Sequence, residues 1–279
     1  MKFAAGIVAL IVVLAAWVVF RPNHAPARVE RQSGENAGAV GSEAPRAILV
    51  ELFTSEGCSS CPPADRLLAE LQRDSPVPGA VVIALSEHVD YWNRLGWTDP
   101  FSSRLFSDRQ SEYARAFASE GVYTPQMVVD GRYEFVGSDR ARAAESIRNA
   151  AKIAKSGVKI AREAAAAGES SGDVTLMVRV DTLAEAHNDD AGDVMLAITE
   201  DGLQSSVVRG ENAGRKLPHT AVVRSLSRLG KVDQREGFTA SRVVSIDRRW
   251  RRSNLRAVAF VQARQSRRVL GAAVASLAE

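Results

Sequence analysis

Cys58 and Cys61 are the two residues whose type and spacing most plainly suggest chemistry, and they are the only cysteines in the chain. They stand three apart in Cys58-Ser59-Ser60-Cys61-Pro62-Pro63, ahead of a segment with helical periodicity. Positions i and i+3 share a helical face, so the two sulfurs can meet. A cysteine at a helix N-terminus faces unpaired N–H groups and the positive end of the macrodipole, which stabilise a thiolate. That predicts a nucleophile at Cys58 and a resolving thiol at Cys61, able to open and close a disulfide with a partner's thiols. Two other fates stay open for the pair: a closed bridge that only staples the chain, or copper held by both thiolates with His88. A four-ligand structural zinc site is excluded, because no second CxxC and no HxxxH supplies the missing ligands.

The elements that would position this pair follow from local pattern. Ala47 to Phe53 is an apolar run of strand length, broken by Thr54-Ser55-Glu56-Gly57. From Ala64 onward, Leu67, Leu68 and Leu71 recur at helical spacing, with Ser59 or Ser60 available as a cap and prolines suited to the first turn. Ala80 to Leu85 predicts a second buried strand ending at Ser86-Glu87-His88, and strand–helix–strand favours a parallel right-handed crossover. The stretch from Val89 to Tyr123 carries Tyr91, Trp92 and Trp97, then a helical pattern from Arg104 to Ser119. Two short apolar strands meeting at Asp130-Gly131 predict a hairpin, and Arg140 to about Ala154 predicts a helix.

The composition changes after Gly157. Residues 157–172 read as a linker in which Ile160 to Ala167 extends or restarts a helix. Seven short alternating runs follow: Val174 to Val180, Val194 to Thr199, Ser206 to Arg209, Ala221 to Leu226, Ser241 to Ile246, Leu255 to Val261 and Val269 to Ala275. They predict a β-sandwich-like domain over 173–279, after an α/β domain over 46–156.

The order of strand, CxxC helix, and later Thr-Pro, strand, Asp-Gly, strand and helix resembles the thioredoxin fold, a mixed sheet flanked by helices. The resemblance implies that Pro125, preceded by Thr124, forms a cis-proline loop facing the cysteines and shaping the partner site. Thr124, Trp92 and His88 then become candidate substrate contacts, with Tyr91 and Trp97 lining either a groove or a small satellite core. Val50 to Asp65, Val89 to Trp97, Tyr123 to Gly131 and Arg209 to Arg215 with His219 and Val222-Val223-Arg224 are similar, more narrowly, to an exported family catalogued as domain of unknown function 1223. That likeness spans about residues 46–277 and brings no established reaction with it. The chain departs from thioredoxin itself at Gly57, where a tryptophan is usual, and at Ser59-Ser60 between the cysteines. Glu51, inside the first strand, is either a proton relay to Cys61 or one half of a salt bridge. His219, Glu211 and Arg215 form either a ligand site or a loop-stabilising polar network.

The remaining features bear on location and partners. Phe3 to Phe20 contains no charged side chain and follows Lys2, the layout of an export signal or an uncleaved membrane anchor, and residues 21–45 read as a flexible tether. Either form places the protein in the periplasm or outside the cell, where disulfides persist, and makes protein thiols and disulfides its expected partners. The whole chain of 279 residues carries a net charge of +3, far from the excess of a dedicated nucleic-acid binder. The span from Gly202 to Arg268 is locally basic, with sixteen Lys/Arg against four Asp/Glu. Its Arg248-Arg249-Trp250-Arg251-Arg252 run reads either as a solvated basic loop or as contact with an anionic surface such as lipid or an acidic polymer. No cofactor is expected.

Overall fold

The computed structural model describes residues 46–164, 172–183 and 191–278. The signal or anchor segment over 1–20 and the tether over 21–45 lie outside the described residues. In chain order the elements are β1 (Arg46–Thr54), α1 (Pro62–Arg73), β2 (Ala80–His88), α2 (Arg104–Ala116), β3 (Gln126–Val129), β4 (Tyr133–Val136) and α3 (Arg140–Ala150). Then come β5 (Val158–Arg162), β6 (Asp173–Val180), β7 (Gly192–Glu200), β8 (Leu203–Ser206), β9 (Lys216–His219), β10 (Val222–Val232), β11 (Phe238–Ser245), β12 (Leu255–Ala263) and β13 (Val269–Ser276). The architecture is mixed α/β, with one large mixed sheet and few helices.

That sheet has eight strands in the order β13-β12-β7-β10-β2-β1-β3-β4. β1 and β2 run parallel, in register from Arg46↔Ala80 to Thr54↔His88, and β3 lies antiparallel on the other side of β1. The side-chain period of two splits β1 cleanly. Ile48, Val50 and Leu52 face α1 and α3, against Leu67, Leu68, Leu71 and Ile147. Leu49 faces the opposite way, with Ile83, Leu85 and Phe106. The β3–β4 hairpin turns at Asp130 (φ 49°) and Gly131 (φ 59°), left-handed at both positions as a hairpin turn of the primed type requires. A side chain at Gly131 would collide with the Arg267 carbonyl 2.0 Å away, so glycine is needed there twice over.

The later strands do not form a separate domain. β10 joins β2 in parallel through Val222↔Ser86, and β7, β12 and β13 continue the sheet antiparallel beyond it. The sheet curls until β13 packs back onto β1, and Leu49, Ile83 and Leu85 share a core with Val258, Phe260 and Val269. A boundary near residues 157–172 therefore cuts through one body. β11, β6 and β5 form a separate three-stranded sheet packed over the β7–β12–β13 region through Val178, Val180, Leu176, Val194, Ala259 and Leu196.

Local expectations shift as well. Residues 158–162 are a strand paired with β6, not helix or linker, and their intermediate-exposed alternation fits an edge. The run Ser206 to Arg209 is loop beyond Ser206, while β9 forms where no strand was expected and pairs with β8.

Candidate functional site

The cysteine loop sits at the C-terminal edge of β1, where the backbone leaves Thr54 and turns toward α1. Ser55 organises the turn: its carbonyl accepts from the Cys58 amide at 3.1 Å and its hydroxyl from the Gly57 amide at 3.1 Å. Cys58 and Cys61 form a disulfide with Cα atoms 5.4 Å apart. Helix α1 begins at Pro62 with Cys61 as its N-cap, and no side chain caps it. Cys58 thus lies three residues ahead of the N-cap, held by Cys61 N–H donation to its carbonyl at 3.2 Å, and neither serine caps the helix: the Ser60 hydroxyl lies 3.3 Å from Cys58 Sγ and Ser59 faces Glu211. Consecutive prolines at the first two helical positions fit a start at Pro62, since the N–H groups they lack would go unpaired in the first turn.

Both cysteines are fully buried, and residues from three distant segments cover them. The loop between β8 and β9 supplies the lid. Asn212, itself buried, donates from Nδ2 to the carbonyls of Glu56 at 2.8 Å and Cys58 at 2.9 Å, while Arg215 Nη1 donates to its Oδ1 at 2.7 Å. Glu211 accepts from the Ser59 amide at 3.0 Å, and the Ser59 hydroxyl and amide hold its carboxyl below the usual range. Gly210 (φ 75°) lies against Trp97, where a Cβ would meet the Trp97 Cβ at 3.3 Å. Trp92 covers the other side: its Cβ is 3.1 Å from where a Gly57 side chain would begin, and its indole N–H donates to Thr124 Oγ1 at 2.8 Å. Gly57, in place of the tryptophan expected of thioredoxin, is what lets Trp92 approach.

Pro125 is buried, its bond to Thr124 is cis, and its carbonyl accepts from Gly137 N–H at 2.9 Å. A side chain at Gly137 would touch Pro125 Cβ and Ala64 Cβ, both at 3.1 Å. Pro125 therefore stands beside the first turn of α1, three residues on from Cys61. Thr124 and Trp92 are hydrogen-bonded to each other, half-buried at the rim of the cysteine loop.

His88 is placed differently from its expected role as a surface contact. It is buried at the end of β2, beside Thr54 on β1, and its Nδ1 lies 2.7 Å from Asp99 Oδ2. Asp99 also accepts from the Glu56 amide at 2.8 Å and the Phe101 amide at 2.9 Å. Burial opposes the charge on both partners. The imidazole and these amides nonetheless hold Asp99 below the carboxylate range, and Asp99 with Asp65 and Glu56 lifts His88 above its ordinary value. Burial lifts Asp65 on α1, against the opposing pull of His88 and of the Thr54 hydroxyl, which donates to it at 2.8 Å. The His219 ring lies 5.2 Å from that of His88, with Phe101 edge-on to both, and its Nε2 is 3.0 Å from Glu56 Oε1. Trp97 donates to the other Glu56 oxygen at 2.7 Å. Two histidine–carboxylate pairs thus lie under the cysteine loop. Sequence reasoning missed Glu56, Asp65 and Asp99, for which no spacing signal existed. Glu211, Arg215 and His219 form the loop-stabilising network rather than an open ligand site. Among the described residues no cluster of three or more His, Cys, Asp or Glu side chains is arranged to hold a metal ion.

Glu51 does not reach the cysteines. It points to the α2 face, where Arg109 Nε donates to it at 2.8 Å and Tyr113 donates its hydroxyl, with Gln262 Nε2 donating to the same hydroxyl oxygen at 2.7 Å. Glu87 joins this group 3.3 Å from Arg109, and burial together with neighbouring Glu51 pushes its carboxyl well up, against the pull of Arg109. The salt-bridge alternative holds for Glu51. In the basic run, Arg249 pairs with Asp247 at 2.6 Å, and the Arg224 guanidinium lies 5.2 Å from the Trp250 ring centre and 5.4 Å from that of Phe101.

Comparison with known proteins places the chain as follows. The family model described as Protein of unknown function (DUF1223) matches residues 49–262. The crystal structure of protein AGR_C_4864 from Agrobacterium tumefaciens is similar at 26% identity and a TM-score of 0.61, covering 83% of this chain and 95% of that one. HBP35 of Porphyromonas gingivalis is similar in fold at 15% identity and a TM-score of 0.59, covering 85% of this chain and 77% of that one. Among curated proteins there is no match.

Proposed function

The chain belongs to the family of unknown function DUF1223, and we propose that it is an exported thiol–disulfide exchange protein of thioredoxin-like build whose reacting group is the Cys58–Cys61 disulfide. The observation that carries this reading is the placement of that disulfide. It closes a two-serine loop between β1 and α1, at the edge of the β2-β1-β3-β4 part of the sheet, with Thr124-Pro125 beside the same helix. In the reaction, a thiolate of a partner dithiol attacks Cys58 Sγ and the Sγ–Sγ bond breaks. Cys61 leaves as a thiolate and takes up a proton. The partner's second thiolate then attacks the mixed disulfide, releasing reduced Cys58 and an oxidised partner. The reverse sequence oxidises the pair.

Thr124, Trp92 and Pro125 would line the partner's approach, and no cofactor is needed. The apolar run from Phe3 to Phe20 would deliver the protein to the periplasm or beyond, with or without remaining as an anchor. No described helix is long and apolar enough to cross a membrane.

A second reading rests on a specific observation: both cysteines are fully buried under Asn212 and Glu211. A sealed bridge would be a structural staple on a binding scaffold. A redox titration of the pair separates the two. An exchanging pair should titrate between about −120 and −270 mV and a staple below about −300 mV. Cys61→Ala should in addition accumulate a mixed disulfide at Cys58 when mixed with oxidised glutathione. A pair that resists reduction below −300 mV, with no adduct on Cys61→Ala, overturns the exchange reading.

A further inference from the structure

The edge of the sheet opposite the cysteines gathers positive charge. β1 rises roughly 26 Å from Arg46 to Thr54, at about 3.3 Å per residue, so this edge and the cysteine loop stand at opposite ends of the strand. Two adjoining clefts open here, of about 430 and 460 Å³, sharing Arg46 and Lys152 in their linings. Arg148 adds a cation to the first and Lys155 to the second, and neither lining includes a carboxylate. Val77, Pro78, Ile153 and Val158 supply apolar wall. Two hairpin tips extend the charge: Lys155 feels Arg132, and Arg132 in turn feels Arg268 strongly enough that burial and this neighbour lower its pKa. Two carboxylates stand nearby, Asp130, ion-paired to Lys155 at 2.6 Å, and Asp181, beside Gly157 at the rim. Arg46 Nη1 donates to the Ala151 carbonyl at 2.5 Å, which anchors one wall of the clefts.

We propose that this basic edge docks on anionic phospholipid headgroups, holding the folded unit against a membrane with the cysteine loop facing away from it. Three observations converge on that occupant. The cations exceed the carboxylates and are interleaved with apolar side chains, the chemistry of a headgroup boundary. The described chain begins at Arg46, inside this edge, so it is here that the folded unit is joined in sequence to the apolar run from Phe3 to Phe20. The Arg248–Arg252 run, the other candidate surface, has Arg249 paired within its own loop and Trp250 engaged by Arg224. This inference is independent of the cysteine chemistry.

Lysine footprinting tests it, with the full chain bound to phosphatidylcholine vesicles with or without phosphatidylglycerol, acetylated and read by mass spectrometry. A basic residue near an anionic surface strengthens attraction about fivefold. Lys152 acetylation should therefore slow about fivefold on anionic vesicles at low salt and recover at high salt. Lys216, on the strand that leads to the site beneath the cysteine loop, should change less than twofold. Arg148→Glu with Arg268→Glu, both exposed, should abolish the protection, while Arg248→Glu with Arg251→Glu should preserve it. Equal Lys152 rates on the two vesicle types, protection falling on Lys216 instead, or loss only in the Arg248/Arg251 variant would overturn the proposal.

Discussion

Asn212 is the side chain whose removal should most directly change the behaviour of the cysteines. Its amide donates to two carbonyls of the cysteine loop, Glu56 and Cys58, and it is fully buried while doing so. Asn212→Ala deletes both bonds. A neutral hydrogen bond is worth about 1 kcal/mol net, and a buried carbonyl left without a donor costs more. Cys58's carbonyl keeps the Cys61 amide, while the Glu56 carbonyl loses its donor and the part-exposed Arg215 Nη1 its acceptor. The sum is about 2 kcal/mol, most of it stabilising the closed position of the loop between β8 and β9. If reduction of the disulfide proceeds through a lifted loop, that loss multiplies the open population by about 30. The assay is the rate of Cys58–Cys61 reduction by dithiothreitol, quenched by alkylation and read by mass. We expect an acceleration of about 10- to 30-fold, with Tm falling by about 4–8 °C. Val258→Ala, a core truncation remote from the loop, serves as the control for general destabilisation. If Asn212→Ala lowers Tm but leaves the reduction rate within twofold of the native protein, the loop does not guard the sulfurs. The gating argument is then wrong.

Three other outcomes follow from buried groups. Glu87 has a folded pKa raised above its unfolded value, so its contribution to stability is full below about pH 4.5 and is lost as pH rises toward the folded value. Glu87→Gln should accordingly flatten the decline of Tm between about pH 5 and 8, and a variant with the native slope would refute the assignment. Arg109→Ala strands Glu51 and Glu87 without their cation and should cost about 3–5 kcal/mol in chemical denaturation, far more than a surface arginine. Gly137→Ala would place a Cβ 2.7 Å from Leu52 Cδ1 and 3.1 Å from Pro125 Cβ, and should cost about 1–3 kcal/mol while displacing Pro125 from α1. A variant as stable as the native protein would show that the neighbours yield freely.

The half of the fold nearest the cysteines was readable because its signals are local. The apolar run of β1, the Leu67, Leu68 and Leu71 stripe of α1, and Asp130-Gly131 at the hairpin each encode their element within a few residues. Pairing between distant strands carries no such signal. The alternation of β7, β10 and β12 fits an edge-to-edge extension of the first sheet as well as it fits an independent sandwich. Only the single parallel bridge of Val222 to Ser86 and the shared core of Leu85 with Phe260 distinguish the two. Residues 158–162 misled for a related reason: Lys and Ala alternate there with Val and Ile, and alanine favours helix until a neighbouring strand supplies the partner. Within the site, Cys58, Cys61, Thr124 and Pro125 announced themselves by motif. Asn212, Asp99 and Glu56 did not, because a buried polar residue is recognised by its partners rather than by its spacing.

The addition of later strands beyond β2 has a consequence for the chemistry. Because β10 meets β2 at Val222↔Ser86, the β8–β9 hairpin and the loop between its strands are brought past the end of β2, where His88 lies. His219 at the end of β9 then meets Glu56, and Glu211 and Asn212 arrive over Ser59 and Cys58. A thiol site at the tip of a helix is ordinarily open to any partner that approaches. Here the segment that covers the sulfurs is anchored by two buried histidine–carboxylate contacts beneath it, so the lid and the floor belong to one polar network. A partner able to reach Cys58 must first replace the two donations from Asn212 with hydrogen bonds of its own to the carbonyls of Glu56 and Cys58. An extended backbone presenting adjacent N–H groups meets that requirement. On the proposed exchange reading, what a partner engages first is therefore this cover rather than the sulfurs themselves.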